Sequence, residues 1–240
     1  MQLPEAIILD LDDTILDDSG AVEELWGQTC REAAARIDGL DPVALLGAIE
    51  RERGWYWADP ARHREGRLDL RAASTRIVDQ ALNSLGYELP GAGAEIANRY
   101  RDLRDERISL FPGAIETIEW LRRHGIRLGM ATNGSAVGQR AKIERFGLAQ
   151  YFDRIVVEGE FGRGKPHREV YEELFTSLAA HPGKMWSVGD NLEWDVGAPQ
   201  SFGVYGIWVD GAGGGLPAGA TVRPDRIISA ISELPHSIQA

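Results

Sequence analysis

Apolar residues recur along this chain in two rhythms, and the change between them divides it. Near the start, Ala6-Ile7-Ile8-Leu9 is a short unbroken apolar run that ends in Asp10-Leu11-Asp12-Asp13-Thr14. A run of that length bounded by polar residues predicts a strand buried on both faces. Beyond Leu16 the apolar positions fall three and four apart. Val22, Leu25, Trp26, Thr29, Cys30, Ala33 and Ile37 form one helical face, with Trp26 and Cys30 on the side that packs. Asp17 and Asp18 are expected to cap that first helix. Asp41-Pro42 reads as a cap and first-turn proline before a helix to about Arg53, and further helical patterns cover roughly Leu70 to Leu85 and Ala92 to Arg107. No strand is predicted between Asp17 and Ser109.

From Phe111-Pro112-Gly113 onward, short apolar runs alternate with helical patterns. A helix over Ala114 to His124 precedes a strand over Ile126 to Ala131 that runs into Thr132-Asn133-Gly134. A helix from Ser135 to Phe146, a strand over Arg154 to Val157 and a helix from Glu169 to Ala180 follow. Strands at Met185 to Asp190, Val204 to Val209 and Arg226 to Ile228 complete the series. Such alternation predicts an α/β fold with a parallel sheet covered on both faces. The first strand belongs to that sheet, so the helical block is an insertion. The expected division is residues 1–16 with 109–240, and residues 17–108. Gly211 to Gly215 follows a strand but has no Lys-Ser or Lys-Thr ending, and it reads as a surface turn.

Composition narrows the choices. The 26 basic and 37 acidic residues give a net charge of −11, which argues against a general nucleic-acid binder. It leaves room for a small anionic substrate when a cation shares the cleft. No apolar stretch of about 18 residues exists to cross a membrane, and no secretory leader is expected. Cys30 is the sole cysteine, so no intrachain disulfide can form, and a reducing cytoplasm is the natural setting.

In an open parallel sheet, ligands gather at the carboxyl ends of the strands. The polar residues expected there are Asp10 and Asp12, Thr132 and Asn133, and Asp190, with Lys165 and Asp195 added from loops. Asp10 and Asp12 alternate with Leu11 and so can project the same way. Taken singly, an acid at a strand tip is a cap or surface group, Thr132-Asn133 is turn chemistry, and a lysine beside proline is a surface residue. Together they can perform phosphoryl transfer. One carboxylate attacks phosphorus, a second moves the proton, a hydroxyl holds phosphoryl oxygen, and a lysine offsets charge. One like-charge pair at 4 Å costs about 4 kcal/mol at an effective dielectric of about 20, so a phosphate dianion among aspartates needs both lysine and a hard cation.

Asp10-Leu11-Asp12-Asp13-Thr14, Thr132-Asn133, Gly164-Lys165-Pro166 and Gly189-Asp190 with Asp195 resemble, in order, the four motifs of the haloacid dehalogenase (HAD) superfamily. The resemblance spans nearly the whole chain. It implies a three-layer Rossmann-like core with a parallel sheet and an inserted all-α helical cap, whose closure would exclude water from the reacting centre. It assigns the nucleophile to Asp10, the general acid/base to Asp12, and phosphate binding to Thr132, Asn133 and Lys165. Mg2+ is assigned to Asp10, Asp12 through its backbone carbonyl, and Asp190, while Asp195 supports the metal shell or orients Lys165. In that superfamily an aspartate two positions after the nucleophile marks phosphatases and phosphomutases, where dehalogenases usually carry tyrosine. The implied protein is a hydrolase of phosphate monoesters acting on a small phosphorylated metabolite, a monomer or homodimer without nucleic-acid or membrane partners. A phosphomutase, a dehalogenase or a non-catalytic phospho-ligand-binding relative is the alternative. Asp13 replaces the commoner glycine and reads as a variable spacer, and Arg163-Gly164 carries no assigned meaning.

One cluster remains outside these motifs. Trp55, Trp57, Arg62, His63, Arg64 and Arg67 crowd an expected loop between cap helices. Either they form a specificity surface, with Trp55, Trp57, Arg62 and Arg64 as its contacts, or the tryptophans pack between helices and the arginines are solvated.

Overall fold

A computed structural model describes residues 3–239. Eight strands are present among them: β1 (Ala6–Leu9), β2 (Leu16–Asp17), β3 (Ser109–Leu110), β4 (Arg127–Thr132), β5 (Arg154–Val157), β6 (Met185–Gly189), β7 (Tyr205–Val209) and β8 (Arg226–Ile228). Six of them form one parallel sheet in the order β5-β4-β1-β6-β7-β8. The most apolar run of the chain, β1, is central and fully buried, flanked by β4 and β6. Leu9 stands level with both Met130 and Val188, which brings the ends of three strands to one edge. The pair β2 and β3, antiparallel and two residues each, joins the points where the chain leaves and re-enters the sheet unit. Neither was expected, because two-residue strands carry no periodicity.

The chain folds as two compact units, Asp18–Ile108 and the remainder. The first contains α1 (Val22–Ala34), α2 (Pro42–Ala58), α3 (Pro60–Leu68), α4 (Leu70–Ser84) and α5 (Ala92–Arg107). Its own core includes Trp26, Cys30, Leu45, Ile49, Ile77 and Ile96. Trp26 is 2% exposed and stacks on Tyr100 with ring centroids 3.7 Å apart. Gly93 lets α5 close on α4, since a Cβ there would lie 1.9 Å from the Asp79 carboxylate.

Two local expectations fail in this unit. The Trp55 cluster is helical. Gly54 is tolerated inside α2, which ends only at Asp59-Pro60, where Asp59 accepts from the Arg62 amide at 2.8 Å and caps α3. Arg62 lies 3.8 Å over the Trp55 ring and donates to the carbonyls of Tyr56 (3.2 Å) and Trp55 (2.6 Å), so its guanidinium serves the α2–α3 junction. Trp57 packs against the helical core, whereas Trp55 is 44% exposed and Arg64 is exposed. Asp18 does not cap α1, whose N-cap is Ala21 without a side-chain bond; it pairs instead with Arg104 of α5.

The sheet unit carries α6 (Ala114–Arg123), α7 (Ala136–Arg145), α8 (Glu158–Phe161), α9 (Arg168–Ser177), α10 (Ala198–Gln200) and α11 (Leu234–Gln239), with a π-helical turn at Leu192–Gly197. On one face, Ile8, Ala131 and Val156 pack with Val170 and Leu174 of α9. Gly129 permits that approach, as a Cβ there would meet Leu174 at 2.8 Å. No described helix is long and apolar enough to cross a membrane.

Candidate active site

Immediately after β1 the backbone turns sharply. The amide of Asp10 still bonds the Val188 carbonyl (3.0 Å), but those of Ile15 and Leu16 fold back onto the Leu11 carbonyl, each at 2.9 Å. Asp13 sits inside this loop at φ 56°, the left-handed region. Among residues with a side chain, Asp and Asn enter that region most readily, which explains why aspartate can stand where glycine is commoner. The Asp13 carboxylate also adds, after burial, Asp10 and Asp195, to the upward shift of Asp190.

The buried ammonium of Lys165 donates to Asp10 Oδ1 and Asp195 Oδ1, both at 2.6 Å. Asp195 Oδ2 accepts from the Asn191 amide at 3.0 Å, and a Cβ on Gly189 would lie 2.3 Å from the Asp195 carboxyl carbon. Glycine at 189 is what lets the π-helical turn press Asp195 against the strand tip. Burial lifts Asp10 to about 6 against the pull of Lys165, with Asp195 adding to the rise. Burial, then Asp10, Asp195 and Asp13, lift Asp190 to about 8. Lys165 moves upward too; burial alone would lower it, and its two aspartates outweigh that.

One ligand atom from each of Asp10, Asp190 and Asp195 lies within 4.8 Å of the others. Three carboxylates face a single buried ammonium, so the cluster holds surplus negative charge. Its donors are all oxygen and its imbalance suits a hard divalent cation, so the residues fit Mg2+. The Asp190 carbonyl is held by the Trp208 indole N–H at 2.7 Å.

The second strand tip is organised by residues outside the expected set. Thr132 Oγ1 accepts from Gln139 Nε2, which also donates to Asp12 Oδ2 at 2.9 Å. Lys142 Nζ donates to Asp12 Oδ1 at 2.8 Å. Asn133, expected to bind phosphate, turns its side chain onto the lysine loop. Its Oδ1 accepts from the Lys165 amide (2.7 Å) and its Nδ2 donates to the Lys165 carbonyl (2.8 Å). Gly164 has a meaning after all, because a Cβ there would fall 2.5 Å from Asn133 Oδ1. Glu158, buried just past β5, accepts from the Gly134 amide at 3.0 Å. Asp10, Asp12, Thr132, Asn133, Lys165, Asp190 and Asp195 are thus gathered at adjoining strand ends. Trp55, Trp57, Arg62 and Arg64 belong to the helical unit. Gln139, Lys142 and Glu158 escaped the sequence reading, although Glu158 follows an apolar strand just as Asp10 and Asp190 do.

A family profile described as haloacid dehalogenase-like hydrolase matches residues 4–203. The chain belongs to that family. Within this HAD family it is 34% identical to the N-acylneuraminate-9-phosphatase of Rattus norvegicus, over 98% of this chain and 94% of that one. It is 30% identical to the phosphoserine phosphatase of Thermus thermophilus, over 85% of this chain and 88% of that one. A magnesium-bound structure of the HAD-hydrolase YfnB from Bacillus subtilis shares the fold with a TM-score of 0.74, covering 100% of both chains at 24% identity. This HAD chain is accordingly an enzyme, a hydrolase of the phosphatase type.

Proposed function

We propose that this HAD hydrolase is a cytoplasmic, Mg2+-dependent phosphatase of small phosphorylated metabolites, working through an aspartyl-phosphate on Asp10. The observation that carries the reading is the pairing of Asp10 with buried Lys165 at 2.6 Å while Asp12, two residues on, is held by different partners. Two neighbouring carboxylates in such different surroundings are suited to different roles.

In this mechanism Asp10 attacks phosphorus and Asp12 gives its proton to the departing oxygen. A water then attacks the aspartyl-phosphate, and Asp12 takes the proton back. Lys165 offsets the charge of Asp10 and the phosphoryl group and is oriented by Asp195. Thr132, whose oxygen accepts from Gln139, has its hydroxyl proton to donate to a phosphoryl oxygen. Asn133 acts indirectly, by fixing the loop that carries Lys165. Asp10, Asp190 and the Asp12 backbone carbonyl would hold Mg2+, which supplies Lewis-acid stabilisation of the phosphoryl charge when bound.

Aspartate at position 12, rather than the tyrosine usual in dehalogenases, supports phosphate chemistry. The names of the two relatives, on phosphoserine and N-acylneuraminate 9-phosphate, support a small phosphorylated metabolite as the substrate class. The helical unit is assigned the part of cap, with exposed Trp55 and Arg64 as its candidate substrate contacts. The deciding test is magnesium-dependent hydrolysis of p-nitrophenyl phosphate by the wild type and Asp10→Asn. We expect a loss on the order of 10³-fold or more in the variant; full activity there would sink the assignment. A panel of phosphorylated metabolites then identifies the substrate.

A further inference from the structure

The α7 helix does more than cover the sheet. It begins one residue after Ser135, whose hydroxyl caps it by accepting from the Gly138 amide at 3.1 Å. Gln139 and Lys142 lie three apart, so they share a helix face. Both reach Asp12, and between them they engage both of its side-chain oxygens, Oδ2 at 2.9 Å and Oδ1 at 2.8 Å. Gln139 is 4% exposed, and the Lys142 side chain 12%, so neither is a solvated surface group. Arg140 on the same helix pairs instead with Glu160 at 2.6 Å. The Gln139 amide also reaches Thr132, joining the proposed proton-transfer group to the proposed phosphate-binding hydroxyl.

We infer that Gln139 and Lys142 are positioning residues for proton transfer, holding the Asp12 carboxyl at the angle from which it serves the leaving oxygen and then water. The inference rests on the phosphatase reading above. In the first step an Asp10 oxygen bonds to phosphorus and the ester P–O bond breaks. Its electron pair stays on the departing oxygen, which takes a proton from Asp12. In the second step a water oxygen bonds to phosphorus, the P–O bond to Asp10 breaks, and a water proton goes to Asp12. One carboxyl must therefore meet two different oxygens at nearly the same place. A two-point clamp removes the rotation that would spoil both encounters, where a displacement of about 1 Å can cost about 10²-fold. Accepting from Lys142 and Gln139 does not bar Asp12 from donating, since a protonated carboxyl keeps acceptor capacity.

The test compares two esters with the full chain and Mg2+. Aryl phosphates have a leaving group that departs with little protonation, whereas alkyl phosphates need the proton. In Lys142→Met, kcat/KM for β-glycerophosphate, which reports the step that expels the leaving group, should fall about 10- to 100-fold, while kcat/KM for p-nitrophenyl phosphate falls less than about threefold; the later attack of water is common to both esters and lowers kcat for both. Lys142→Arg should restore the alkyl rate, and Lys142→Gln should fall between. An equal loss of kcat/KM on both esters, or no loss, would overturn the inference. So would the same selective loss in Arg140→Ala, because helix integrity would then set the ratio. Failure of the underlying reading is seen separately, as wild-type protein that hydrolyses neither ester or an Asp10→Asn variant that still does.

Discussion

Two lysines hold two aspartates that stand two residues apart, and they do so under opposite conditions. Lys165 and both of its partners are almost sealed, with side-chain exposures of 4%, 10% and 3%. Lys142 and Asp12 form a more open pair, at 12% and 26%. The sealed group has one cation for two aspartates, with Asp190 adding a third nearby, and so carries surplus negative charge. Burial thus concentrates charge where a cation and a phosphoryl group would be bound, and access remains where, in the proposed mechanism, a proton would enter and leave.

The strongest way to break this contrast is Lys165→Met. Removing one partner of a buried ion pair typically costs about 3–5 kcal/mol, because the surviving charge is left without compensation. Activity should fall on the order of 10³-fold or more, and urea unfolding with steady-state kinetics measures both. A variant retaining kcat within about tenfold would erase the distinction between the lysines.

A second test uses pH. Asp10 and Asp190 hold their protons more tightly in the fold, at about 6 and about 8, than in the unfolded chain, where the ordinary value is 3.8. The stability they contribute is therefore complete below about pH 4 and is lost as pH rises through about 6 and then about 8. Lys165, raised above its usual range, keeps its contribution across that window. Metal-free protein should lose thermal stability from about pH 4 to about pH 8, and the rise in Tm on adding Mg2+ should grow over the same interval. Calorimetry showing an equal Mg2+ effect at both ends would separate the cation from these carboxylates.

The smallest effect is expected at an exposed ion pair of the helical unit. Arg99 bonds Glu32 at 2.8 Å, with side chains 42% and 34% exposed. Arg99→Ala should cost less than about 1 kcal/mol and leave kcat unchanged. A larger loss in chemical denaturation would mean that exposed pairs matter here as much as sealed ones.

The strands and the acids at their ends were legible because each is local. An apolar run, then a carboxylate, can be read without knowing what lies beside it. The partners were not legible in the same way. Gln139 and Lys142 look like ordinary polar residues of a helix, and only the packing of α7 beside the first strand tip gives them a carboxylate to hold. Asn133 was legible as a polar tip residue but not in its direction, since the residue it grips lies 32 positions away. The Trp55 segment was expected as a loop, but Gly54 does not end α2, which runs on to Asp59-Pro60. Glycine weakens a helix, whereas proline removes a donor and ends one.

The level pairing of Leu9 with Met130 and Val188 has a consequence for folding. Successive residues on a strand differ by about 3.3 Å and point to opposite faces, so a central strand displaced by one step would carry Asp10 away from Lys165 and Asp195. Three separately encoded segments must therefore finish level for Asp10, Lys165 and Asp195 to meet.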